Sequence, residues 1–134
     1  MEKTEITVTP SAYVTLAAAI LLLPMNWLLS AIIAAGFHEC CHLIGILCCR
    51  VPVYRVRIDG RGATIETGFM TPGMELFCAA AGPVGSLCLL LAIRKYPLLG
   101  LLGLAQGLFN LLPIYPLDGG RILRSIFMLA KSRL

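Results

Sequence analysis

Polar and apolar residues fall in long blocks, not in the short alternation of a soluble domain. Residues 1–10 form a polar tail that ends in Pro10. Residues 12–49 are then almost continuously apolar, with one break at Pro24-Met25-Asn26. As a single helix that block would be roughly 57 Å long, against about 30 Å for a bilayer core. It is therefore read as two elements. The first, residues 11–23, is short and has to tilt or sit where the bilayer is thinned. The second, residues 26–49, is a full span, with Trp27 near its start as an interfacial anchor.

Residues 51–70 change character. Val53-Tyr54-Arg55-Val56-Arg57-Ile58 alternates around a following Asp59-Gly60-Arg61-Gly62, and Ala63-Thr64-Ile65-Glu66-Thr67 completes a predicted β-hairpin. A hairpin at a membrane surface is either a plain loop or an edge that pairs with an extended peptide. On the second reading Val53, Tyr54, Val56 and Ile58 are the candidate substrate-binding positions. Residues 72–93 form a third span. Its centre, Ala79-Ala80-Ala81-Gly82-Pro83-Val84-Gly85-Ser86, is small enough for close helix approach. Glu75 lies near the start of this span, at the interface, and Arg94-Lys95 ends it. A fourth element, residues 96–112, breaks at Pro113 and Pro116. A last helix, residues 120–130, carries Arg121 and Arg124, with Lys131 just beyond it. The predicted fold is an all-α polytopic membrane bundle of about four transmembrane elements, with a small β-hairpin between the second and third. Residues 1–134 are read as one membrane-embedded domain.

Composition agrees with that pattern. Of 134 residues 58% are hydrophobic and 13% charged, and mean hydropathy is +0.86. A soluble domain carries about 25% charged residues. Residues 1–9 lack the basic start of a cleavable signal. With four spans, one side holds Lys3, Arg50, Arg55, Arg57, Arg61, Arg121, Arg124, Lys131 and Arg133, and the other only Arg94 and Lys95. That bias places the hairpin and both tails in the cytoplasm. If the first element only dips into the bilayer, the N-terminal tail changes sides. The net charge of +4 then reports topology and lipid contact, not nucleic-acid binding. The six cysteines lie in or beside apolar segments, where Cys acts as a small hydrophobe, and no spacing matches a disulfide framework. Cys41 and Cys48 share a helical face but have no further soft ligand nearby.

Chemistry enters at Phe37-His38-Glu39-Cys40-Cys41-His42, a His-Glu-x-x-His motif inside the second span. Four residues apart on a helix, His38 and His42 project from one face and can grip one ion. Glu39 is within reach of a water on that ion. A lone buried histidine is usually a hydrogen-bonded core residue. Two histidines and a glutamate at membrane depth, at roughly 2.5 kcal/mol or more for each ionised group, call for a function. Hydrolytic zinc takes three protein ligands and leaves one position open. Among the remaining acids only Asp118 follows a backbone break that can carry it into the bundle. It can also serve as the N-cap of the last helix.

The pairing of His-Glu-x-x-His with a later Asn-x-x-Pro-x-x-x-x-Asp-Gly resembles the site-2 protease family of intramembrane zinc metalloproteases. Leu112-Pro113-Ile114-Tyr115-Pro116-Leu117-Asp118-Gly119-Gly120-Arg121 looks most like its bacterial branch, which includes the sporulation protease that processes a pro-sigma factor. The resemblance covers about residues 10–130. It implies one Zn2+ held by His38, His42 and Asp118, with Glu39 as catalytic acid/base and Asn110 positioning substrate or oxyanion. Members often carry an asparagine shortly after the Gly-Pro; here the nearest polar residue is Ser86. No PDZ or CBS domain is recognisable. Helices that follow the aspartate motif in larger members are not found, so gating is expected from a regulatory membrane partner or a homo-oligomer.

The implied activity is hydrolysis of a peptide bond in or near a transmembrane segment of another membrane protein, in a bacterial cytoplasmic membrane. Two other classes compete: an inactive homologue that binds a membrane partner, and a metal carrier. Glu39 argues against the first, since a purely structural site has no need of it. The single polar cluster argues against the second, since a carrier lines a path with several.

Overall fold

The computed structural model describes residues 4–60 and 62–132; Lys3, Arg61 and Arg133 of the charge count lie outside them. Strand β1 (Glu5–Val8) leads directly into helix α1 (Pro10–Leu22), which Pro10 opens at its first turn. Pro24 cannot continue that helix, and α2 (Met25–Cys48) starts just after it. Strands β2 (Val53–Asp59) and β3 (Gly62–Thr67) follow, then α3 (Pro72–Cys88), a 3-10 turn (Leu89–Ala92), α4 (Pro97–Asn110) and α5 (Asp118–Lys131).

The expected all-α bundle with a hairpin is thus a mostly helical fold with a three-stranded sheet. Its extra strand lies in the predicted polar tail. β1 pairs in parallel with β2, from Glu5 opposite Arg55 to Val8 opposite Ile58. Arg55 donates to Glu5 Oε2 at 2.7 and 2.9 Å and lies 3.7 Å from Glu66, so one guanidinium laces all three strands. A four-residue strand whose partner is fifty residues away leaves almost no local pattern to read.

The strand order β1-β2-β3 also corrects the substrate-pairing residues. Val53, Tyr54, Val56 and Ile58 belong to the middle strand, whose two backbone edges are occupied by β1 and β3. The outer edges belong to β1 and β3, and the cavity is lined from β3. Asp59 faces Gly62 across the turn, and the Gly68 N–H donates to the Pro52 carbonyl. Even-numbered residues of β3 therefore bond inward, and Ala63, Ile65 and Thr67 turn their backbone groups outward.

Thr9, just before α1, donates its backbone N–H to the Ile58 carbonyl, and α2 runs back to the same sheet. The N-terminal strand and the hairpin hence share one side of the helices. Among the described residues two stretches are long and apolar enough to cross a membrane, Met25–Cys48 and Pro72–Ala92. Helices α1 and α4, with 13 and 14 residues, fall short of the ~20 that a straight span needs.

Residue sizes are distributed inside out. Leu21, Leu91 and Phe127 are largely exposed, while Ala34, Ala79, Gly82, Pro83, Gly85, Ser86 and Gly103 are buried. Lipid gives large apolar groups no reason to hide, so helices pack through small ones. At Gly103 an added Cβ would sit 2.8 Å from the Ser86 carbonyl and from Leu89 Cβ. Gly103→Ala should therefore force α4 off α3 and cost about 1–3 kcal/mol. The readout is a lower melting temperature in detergent. Gly36→Ala, where a Cβ meets nothing within 4 Å, should not lower it.

Candidate metal centre

Helix α2 presents His38 and His42 on the face that packs against α3, and both rings are buried. The approach depends on Gly82, where any Cβ would overlap the His42 ring. Asp118 arrives from the other side. The chain turns back at residues 111–117 and enters α5 at Asp118, so close to its own loop that a Cβ on Gly120 would lie 2.6 Å from the Tyr115 nitrogen. Leu117, not Asp118, is the N-cap. The Asp118 carboxylate points its Oδ2 into the bundle.

Three atoms converge there. His38 Nε2 and His42 Nε2 are 3.1 Å apart, and Asp118 Oδ2 lies 3.2 and 3.0 Å from them. Two ligands at 2.0–2.1 Å from a tetrahedral zinc ion are about 3.3 Å apart, so the spacing fits such an ion. The proton arrangement fits as well. His42 Nδ1 donates to the Cys78 carbonyl at 2.8 Å, which leaves a lone pair on Nε2 of the neutral ring. His38 Nδ1 lies 2.8 Å from Ser86 Oγ. Lone pairs and an anionic oxygen pointed at one spot repel unless a cation joins them, and an N2O donor set suits zinc.

The outer supports come from one helix. Glu75, Cys78, Gly82 and Ser86 follow at spacings of three and four, so they form one stripe of α3. Only Ser86 and the small-residue run were visible in the sequence. The Cys78 support is a backbone carbonyl, which has no side-chain signature.

Around the three atoms opens a cavity of about 640 Å3. Glu39 lines it, with its carboxylate beside the Gly62–Ala63 backbone at the outward edge of β3. Asn110 also lines it, and its amide donates to the Gln106 carbonyl one turn back. Of the four β2 positions expected to bind substrate, none lines the cavity, whereas Ala63, Ile65 and Thr67 of β3 do. Removing an outer partner of a ligating histidine typically weakens metal binding about 10–100-fold. Ser86→Ala is expected to do so in a zinc titration, with helix content unchanged by circular dichroism.

Residues 90–134 match Peptidase family M50. A protein of Synechocystis sp. named "Putative zinc metalloprotease sll0528" is 36% identical over 105 residues, covering 66% of this chain and 28% of that protein. The chain thus spans less than a third of that relative's length. The fold is similar to that of the Site-2 Protease from Methanocaldococcus jannaschii, with a TM-score of 0.70 at 23% identity, over 95% of this chain and 69% of that one. The chain is thus similar to peptidase family M50 over its C-terminal third, to a putative zinc metalloprotease in sequence and to a site-2 protease in fold, and it joins its two motifs in one buried cluster.

Proposed function

We propose that this chain is a zinc-dependent endopeptidase that cuts a peptide bond in or near a transmembrane segment of another membrane protein. One observation carries the reading. The buried His38–His42–Asp118 cluster opens onto a cavity that also holds a carboxylate, Glu39, and an unpaired strand edge. A structural metal site needs neither of the last two.

His38, His42 and Asp118 would hold zinc, which would acidify a water and polarise a carbonyl oxygen when bound. Glu39 takes the proton released as the scissile carbonyl is attacked, then returns it to the departing amine. The Ala63 backbone beside Glu39 keeps its carboxylate at the cavity until substrate enters. Asn110 has a side-chain amide to offer the developing oxyanion once it leaves Gln106. A transmembrane helix satisfies its own backbone, so the substrate must unwind before attack. The outward groups of Ala63, Ile65 and Thr67 can then pair with the opened stretch as a fourth strand.

The sheet side of the helices is assigned to the cytoplasm of a bacterial membrane, on the excess of Lys and Arg there. Regulated proteolysis of a membrane-held factor, as in the sporulation branch, is the setting this reading fits. A membrane partner or a second copy would gate access.

Two measurements test the reading. Glu39→Gln should retain zinc while cleavage of a co-expressed single-span substrate drops by about 10²–10⁴-fold. Cleavage at wild-type rate would remove the peptidase assignment. Ile65→Pro deletes one outward N–H at a position where an edge strand tolerates proline. Cleavage should fall with zinc content unchanged; full cleavage would remove β3 as the substrate's partner.

A further inference from the structure

One ionic chain in the cavity has no part in the steps above. Arg121 stands one turn after Asp118 on α5. Its Nη1 lies 3.8 Å from Asp118 Oδ1, and its Nε lies 3.8 Å from Glu75 Oε1 on α3. The two oxygens of Asp118 therefore face different partners. Oδ2 meets both imidazoles, and Oδ1 faces a cation. Neither flanking group is a free surface charge, with side-chain exposures of 34% for Arg121 and 24% for Glu75. Arg121 also lines the cavity.

The number of oxygens that Asp118 presents has consequences. A carboxylate can bind a metal through one oxygen or through both. If Oδ1 swung toward the histidines as well, Asp118 would add a donor beside the reactive water and crowd the position that water needs. We propose that Arg121, anchored by Glu75, is a positioning residue that restricts Asp118 to one oxygen and so keeps the fourth coordination position open. This rests on the zinc-peptidase reading given above. An i,i+3 pair on a helix could exist for helix stability alone. Glu75 distinguishes the two cases, because it belongs to the α3 stripe that also orients both imidazoles. A guanidinium is a rigid planar fork that can face two carboxylates at once, whereas an ammonium is a single point charge.

The test uses the full chain in detergent, loaded with cobalt(II) in place of zinc, and reads the visible spectrum with the cobalt stoichiometry. Four-coordinate cobalt absorbs several-fold more strongly than five-coordinate cobalt. Wild type should bind one cobalt with the intense bands. Arg121→Gln should keep one cobalt but lose several-fold in band intensity, with peptide cleavage falling in parallel. Arg121→Lys should recover part of that intensity. Glu75→Gln, which leaves the guanidinium in place, should lose part of it. Wild-type intensity in Arg121→Gln overturns the proposal, as does loss of cobalt from that variant at concentrations that saturate wild type. Undiminished intensity in Glu75→Gln overturns the anchoring. If wild type takes up no cobalt, or His38→Ala takes it up equally well, the zinc reading itself fails and the proposal falls with it.

Discussion

Two imidazole nitrogens and a carboxylate oxygen, each within 3.2 Å of the others, point at one spot between helices in an apolar bundle. Buried polar groups are costly unless something completes them, and the hydrogen-bond partners of the two Nδ1 atoms are already assigned. A cation completes the set. The rest of the structure reads as the means of bringing that spot about. Helix α2 supplies two ligands by spacing alone. The first residue of α5 supplies the third, and the glycines after it let the preceding loop lie close over the helix start. Helix α3 lies between them, and a bare Gly82 lets it come near enough for its neighbours to hold the rings.

The same small-residue packing sets the opening. Because α2 and α3 meet through Gly45, Cys78, Gly82 and Gly85, bulk is excluded on that side, and the cavity opens toward the sheet instead. Glu39 and Ala63 mark where helix and sheet touch. A strand pairing with β3 would thus arrive beside the groups that do the chemistry. Affinity for an extended backbone and proximity to the ligands come from one surface.

Much of the helical frame was legible. Prolines at 24, 113 and 116 and the charged pair Arg94-Lys95 divide the apolar blocks, and the helices end within a few residues of those marks. The His-Glu-x-x-His motif was plain because its spacing is local. The third strand was not, since Glu5–Val8 is defined by a partner fifty residues on. Nor was the assignment of the open edge, because β2 looks like a hairpin edge only while β1 is unknown. Asp118, favoured as the third ligand, could also be read as a helix cap. The fold of residues 111–117 turns its Oδ2 toward the histidines. The supports from Cys78 and Gly82 act through a carbonyl and through the absence of a side chain, and neither leaves a mark in a sequence.

Zinc-edge X-ray absorption on the purified full chain tests the central claim most directly, because six cysteines offer an alternative home for the metal. The account predicts one zinc per chain, nearest neighbours that are nitrogen and oxygen only, and the scattering of two imidazoles. Sulfur among the nearest neighbours, or a metal-free chain after purification in the presence of zinc, would contradict it.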